Sequence, residues 1–443
     1  MNSITDFLFQ PPTGPVNYNP EIQPLQEVDL KTKSVMVIDH GIFTYVAEKL
    51  VNIYGKVYYF CHHQEEYPTI EQLAIGTGIP GVTKVHDPLE VDCDLYVFPN
   101  TYDSTLQKQL LKMGKNVWGS RKGDELELNR WYGLQTLSKV GLPVPNATKI
   151  IGVDNLINYL RQTNNKYIKI SYLRGVTETF HYTNMKECGN YLNVELREAC
   201  QPLEKYIEFI VFEPIDAKIE SGFDCINIDG QFSDYVQLGY EVKDCAYVFK
   251  TVKYNELPEL IKITGDKLSD VFKGYGYRGF FSNEVRITEN KIPYLIDFTC
   301  RLGSPSGEPM IENLENIGEV LWYGSQGHLL PLKFKNVYGC QAHIYSTYGT
   351  DKAQPIFYPE EIKDYVKLRN YCIVDGQRYI IPEPMCYSEK GTVIGYGSTL
   401  QEAIDQCKEH ASQISGWGVE IKLDDIEKGL DSIKIGEQYG IIF

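Results

Sequence analysis

The chain of 443 residues contains no run of about 18 apolar residues, the length a helix needs to cross a bilayer. Its first residues also lack a basic stretch followed by an apolar one, so neither a membrane span nor a signal peptide is expected. There are eleven cysteines but no Cys-x-x-Cys pair, which argues against a zinc ribbon and against a disulfide scaffold. An odd number of mostly core-like cysteines suits a reducing cytosol, so a cytoplasmic location is expected. Positive charge is scarce: 43 Lys and Arg stand against 59 Asp and Glu, for a net charge of −16. Binding to a nucleic-acid duplex is therefore not expected, although one local basic pocket remains open to a nucleotide. No Gly-x-Gly-x-x-Gly follows the first predicted strand, so a dinucleotide cofactor is not expected. Ser-His-Asp and Cys-His signatures are absent as well, as are internal repeats and low-complexity tracts.

What is present is enough for two to four domains with sizeable cores. Residues 1–30 carry Pro11, Pro12, Pro15, Pro20 and Pro24 with little periodicity and read as an extended arm. From Ser34 the pattern alternates. Apolar strands are predicted at 34–38, 57–60, 95–98 and 116–118, and helices at 43–54 and 106–113. This is a doubly wound parallel sheet spanning 31–118, whose ligands would sit at the carboxyl ends of the strands. His40 and Asn100 lie on that edge as candidate substrate contacts, although an ordinary loop histidine suits His40 better.

A helix is predicted from Glu125 to Val140, stopped by Gly141 and Pro143. The strand Tyr167–Ser171 carries Lys169 and leads into a turn, Arg174–Phe180, whose hydroxyls and backbone N–H groups could close over phosphates. Strands are predicted at 206–212, ending in Glu213, and at 220–230, followed by a helix at 257–273. Two strands, Tyr277–Thr288 and Ile292–Thr299, then flank the polar turn Glu289-Asn290-Lys291. Alternate strand residues share a face, so Glu284, Asp297 and Thr299 could meet. Their oxygens suit a hard cation, and Arg301 two residues on suits a phosphate. The same pattern also fits two ordinary strands with a solvated acidic face. A helix and exit loop are predicted at 311–330. The last hundred residues read as an α+β module, with strands at 339–346, 373–381 and 391–397 and a helix from Thr399 to about Ile414.

This order of motifs resembles the ATP-grasp superfamily, and within it the phosphoribosylamine–glycine ligase family. Gly279-Phe280-Phe281 through Asp297-Phe298-Thr299-Cys300-Arg301-Leu302-Gly303-Ser304-Pro305 matches that family's strand pair, which ends in Glu-Phe-Asn-Cys-Arg-Phe-Gly-Asp-Pro. Gly391–Gly395 and Thr399–Ile404 resemble its carboxyl-terminal strand and helix. The resemblance covers roughly residues 34–430. It implies an α/β domain at 31–118, an ATP-grasp domain at 119–335 and an α+β domain at 336–443.

Carried over residue by residue, the resemblance implies ATP contacts from Arg130 and Lys169. A covering loop would comprise Arg174, Gly175, Thr177, Glu178 and Thr179. Glu213 would lie at the adenine and Glu220 at the ribose. Mg²⁺, with Mn²⁺ as an alternative, would be held by Glu284, Asp297 and Thr299, and Arg301 would steady the transferred phosphoryl group. The implied activity is ATP-dependent joining of a small-molecule carboxylate to an amine or thiol through an acyl phosphate, by a monomer or homodimer. Three departures narrow it. Thr299 replaces the family's asparagine, and Ser304 replaces the aspartate at the substrate position. The family's Thr-Gly-Gly-Met-Gly segment has no counterpart between residues 231 and 256. Phosphoribosylamine and glycine are therefore not the expected substrates. A descendant that keeps the fold as a non-catalytic binding or structural protein is the alternative, and true phosphoribosylamine–glycine ligation is a second.

Overall fold

A computed structural model describes residues 25–62, 69–172, 178–242, 245–347, 352–382, 389–423 and 426–443. The proline-rich arm up to residue 24, and Arg174, Gly175 and Thr177, lie outside the described residues.

The first apolar run forms the centre of a five-stranded sheet. Its strands are β1 (Ser34–Asp39), β2 (Lys56–Cys61), β3 (Val82–Lys84), β4 (Leu95–Val97) and β5 (Asn116–Trp118). They run in the order β3-β2-β1-β4-β5, parallel at every pairing. Val35 and Val37 of β1 enter one core, and Met36 and Ile38 enter another. That two-sided burial is what an unbroken apolar strand requires. The strand order reverses between β1 and β4, which opens a crevice at their carboxyl ends.

The helix predicted from Glu125 to Val140 is two helices, Asp124–Leu128 and Arg130–Lys139. Asn129 divides them because its side chain accepts the Tyr132 amide and caps a new helix. The segment 257–273 divides similarly, into Glu259–Asp266 and Ser269–Tyr275.

A second sheet comprises β6 (Ala147–Ile151), β7 (Lys166–Ile170), β8 (Thr179–Tyr182) and β9 (Glu208–Phe212), antiparallel in the order β6-β9-β7-β8. Ile168, Ile170, Phe209 and Val211 bury one of its faces against Leu156 and Leu160 of the helix Val153–Leu160. Lys169, between two buried isoleucines, is left for the other face.

The third sheet starts with β10 (Ala217–Ile228), β11 (Gln231–Phe232), β12 (Tyr235–Val242), β13 (Ala246–Lys253), β14 (Arg278–Thr288) and β15 (Pro293–Thr299). It continues with β16 (Tyr338–Ser346) and the strands Glu389–Gly397 and Val366–Leu368. Its main path is β15-β14-β10-β12-β13-β16, followed by those last two strands. One sheet thus runs from the central strand pair into the final module, joined where β13 pairs with β16. Buried charges tie the same regions together. Glu312 takes Lys49 at 2.6 Å from the first helix and Lys367 at 3.0 Å from the final module. No helix of the described residues is long and apolar enough to cross a membrane.

Candidate active site

β14 and β15 pair antiparallel with Glu284 opposite Asp297 and Ser282 opposite Thr299. Residues directly opposite project to the same face. Glu284, Asp297 and Thr299 therefore line one cleft of about 730 Å³, solvent mouth included. Glu220 joins them from β10, where it stands opposite Arg286. Close approach of the backbones sets the floor: a Cβ on Gly222 would lie 1.9 Å from the Asn283 carbonyl oxygen.

The cleft gathers Glu220, Asp224, Glu241, Glu284 and Asp297, with Arg301 at its edge. Burial pushes the Glu284 carboxyl well above its ordinary range. A hydrogen bond shared with Glu220, and the charges of Glu220, Asp297 and Glu241, push it further the same way. A crowd of carboxylate oxygens that raises its own proton affinity is also a donor set for a hard divalent cation. Glu284 and Asp297, opposite one another on β14 and β15, with Thr299 on the same face, offer oxygen donors of the kind Mg²⁺ or Mn²⁺ takes. Asp224 is engaged otherwise, since its oxygens accept from Ser306 and Tyr247.

Two cations from other elements converge on Asp297. Lys169 Nζ lies 2.6 Å from Oδ2, and Arg130 Nη1 lies 2.5 Å from Oδ1. Arg130 Nη2 also stands 3.4 Å from Glu178, just before β8. Thr179 is the β8 partner of Lys169. The second sheet and the third sheet thus face one another across Asp297.

Arg301 is held by a residue the pattern did not single out. Glu127, fully buried in the helix Asp124–Leu128, accepts from Arg301 Nε at 3.0 Å and from the Cys300 amide at 2.8 Å. An acidic residue between apolar neighbours in a helix carries no signal of such a task. Ser304 was a candidate substrate contact. Its hydroxyl accepts from Arg369 Nη2 at 2.6 Å, and the same nitrogen pairs with Glu308 and Glu389, each at 2.9 Å. Glu389 also contacts His343. Burial alone would raise the Glu389 carboxyl, but Arg369 and His343 hold it down to about 2. These five residues come from the last 140 positions and show no mutual spacing in sequence.

Glu213 stands apart from the cleft lining. It follows β9, is about half exposed, and accepts from Lys166 Nζ at 2.8 Å. His40 and Asn100 sit at the crevice edge of the first sheet. Asn100 Oδ1 accepts the Thr101 amide at 2.9 Å. Burial holds the His40 imidazole down to about 4. The Leu302 amide donates to the Pro99 carbonyl at 2.9 Å, so this edge adjoins the loop that carries Arg301 and Ser304.

No family model and no curated protein sequence matches the chain. Solved structures do match. Phosphoribosylamine–glycine ligase of Thermotoga maritima is similar at a TM-score of 0.67 and 16% identity, over 88% of this chain and 99% of that one. The biotin carboxylase domain of Hydrogenobacter thermophilus 2-oxoglutarate carboxylase, solved with MgADP, ADP and bicarbonate, gives 0.64 and 15%, over 88% and 92%. The L-amino acid ligase of Bacillus licheniformis gives 0.58 and 15%, over 87% and 98%. All three are built on one architecture, and the chain has the ATP-grasp fold.

Proposed function

We propose that the protein is an ATP- and Mg²⁺-dependent ligase that activates a small carboxylate as an acyl phosphate and passes it to an amine or thiol. The observation that carries this reading is the Glu284–Asp297 pair with Glu220 beside it and with Lys169, Arg130 and Arg301 around it. Neighbours solved with nucleotide, and one that is an amino acid ligase, support it.

Glu284 and Asp297, with Thr299, would hold the metal ion, which supplies charge neutralisation at the phosphates. Lys169 and Arg130 would then exchange Asp297 for phosphate oxygens, so that each charge keeps a partner. Positioning and electrostatics are most of what phosphoryl transfer asks of a protein. The substrate carboxylate oxygen attacks the γ-phosphorus and ADP leaves. The acceptor then attacks the acyl carbon and inorganic phosphate leaves. Arg301, fixed by Glu127, would face the charge that develops on oxygen in both steps. Glu213 and Lys166 would lie toward the nucleotide base, and Arg369, with Ser304, toward the acceptor.

An ADP-release screen across amino acids and small carboxylates tests the reading, with Asp297→Asn as the blank. ADP release that needs a carboxylate and vanishes in Asp297→Asn is expected; release that survives the substitution overturns the assignment. One observation favours a non-catalytic binding protein instead: both Asp297 oxygens are already in ion pairs. Mg-ATP binding without ADP release for any carboxylate is the outcome that reading requires.

A further inference from the structure

At the crevice of the parallel sheet, away from the carboxylate cleft, three potential ligands converge. His40 follows β1, His62 follows the neighbouring β2, and Asp103 lies in the loop after β4. One ligand atom from each lies within 4.8 Å of the others. The polar atoms here are not satisfied by one another. His62 Nε2 stands 2.8 Å from Asp103 Oδ1, yet off the line a ring N–H could use, so that nitrogen has no hydrogen bond. His40 Nδ1, Asp103 Oδ2 and the neighbouring Thr101 Oγ1 also lack a hydrogen-bond partner among the described residues. The Asp103 side chain is only 8% exposed. Leaving buried polar atoms unsatisfied in one place is costly, and a shared cation would satisfy those of His40, His62 and Asp103. The His40 and His62 rings stack at 4.6 Å, which brings their nitrogens together rather than turning them to solvent.

We propose that His40, His62 and Asp103 form a binding site for a divalent transition-metal cation of the Zn²⁺ class, distinct from the Mg²⁺ position between Glu284 and Asp297. Two imidazoles and one carboxylate suit Zn²⁺ far better than Mg²⁺. Metal–ligand bonds of about 2.0–2.1 Å place tetrahedral ligand atoms roughly 3.3 Å apart, so small side-chain rotations close the set. Three protein ligands leave a fourth position for water or a substrate oxygen. The site lies at the strand-order reversal, where ligands of such sheets bind. It borders the Arg301–Ser304 loop through the Pro99–Leu302 hydrogen bond. This assignment does not depend on the ligase reading.

The full-length protein, stripped with a chelator, is titrated with Zn²⁺ against a chromophoric competitor, and with Co²⁺ followed by visible absorption. One tight equivalent of Zn²⁺ and the intense visible bands of four-coordinate Co²⁺ are expected. Loss of groups that merely support a ligand already weakens metal binding 10–100-fold. His62→Ala, which removes a partly exposed side chain, and His40→Ala should therefore each weaken Zn²⁺ binding by at least about 100-fold. Asp297→Asn should leave it unchanged. Three results overturn the proposal: no Zn²⁺ equivalent bound, only the pale spectrum of six-coordinate Co²⁺, or affinity lost in Asp297→Asn and kept in the histidine variants. The Co²⁺ spectrum of the unaltered chain decides the matter even where a variant fails to fold.

Discussion

Replacing Glu284 by Gln should make the metal-free protein more stable at alkaline pH while weakening its hold on Mg²⁺. Glu284 faces Asp297 across β14 and β15 and shares a hydrogen bond with Glu220. Side chains directly opposite have Cβ atoms about 4.5–5.5 Å apart. Two like charges about 5 Å apart repel by roughly 3 kcal/mol at an effective dielectric of about 20. Arg130 and Lys169 on Asp297 and Arg286 on Glu220 offset part of this, leaving about 1–2 kcal/mol, in line with functional sites relieved of strain. A glutamine amide donates to Glu220 as the protonated Glu284 would, so the packing is retained. The sign follows from the raised carboxyl. The folded protein binds the Glu284 proton more tightly than the unfolded chain, so stability falls as pH rises above the ordinary carboxylate value. The melting temperature of Glu284→Gln should therefore exceed that of the unaltered protein by a few degrees at pH 8, about 2–4 °C per kcal/mol. The difference should vanish as pH approaches 4.5, the ordinary carboxylate value. Millimolar Mg²⁺ should raise the unaltered protein toward the variant. A variant that melts lower at pH 8, or a gap that ignores both pH and Mg²⁺, refutes the reasoning.

Glu389 makes the opposite contribution. Held down to about 2, it stabilises the fold above the unfolded value of 4.5, and that stability is lost as pH falls toward 2. Glu389→Gln should flatten acid unfolding over that window, as followed by circular dichroism. It should also destabilise the fold at pH 7, by less than the roughly 3–5 kcal/mol of a fully unpaired buried charge, because Arg369 keeps Glu308. Glu127→Gln loosens Arg301 without touching the Glu284–Asp297 face. Once a substrate pair is known, kcat should drop by up to about 100-fold, while Mg-ATP affinity changes by less than about threefold, since uniform binding is not affected.

The parallel sheet was legible because strands buried on both faces read as unbroken apolar runs, such as Ser34–Ile38. β14 and β15 were legible because alternation and the polar turn at 289–291 set their boundaries. Strands β12 and β13 went unread although β12 alternates cleanly, Val236, Leu238 and Tyr240 in the core against Gln237, Gly239 and Glu241; in β13 Lys250 breaks the apolar register of Ala246, Val248 and Val252. Gly239 and Glu241 of the polar half line the cleft. The division at Asn129 went unread because a single capping side chain outweighs helical periodicity on either side of it. At the site, the cross-strand facing of Glu284 and Asp297 follows from strand geometry alone. Glu127, Arg369, Glu308 and Glu389 could not be found that way. Their roles come from contacts between elements far apart in sequence, and a charged residue shows nothing of its partner until the chain folds.

The most direct measurement is equilibrium binding of Mg-ATP to the full-length protein, by calorimetry and by thermal shift, for the unaltered chain and for Asp297→Asn. A ligand held at about 100 times its dissociation constant stabilises the fold by about 2.7 kcal/mol. The expected result is one Mg-dependent ATP site with a clear rise in melting temperature, lost or strongly weakened in Asp297→Asn. An unchanged melting temperature at millimolar Mg-ATP, or equal binding by both proteins, would contradict the assignment of the Glu284–Asp297 cleft.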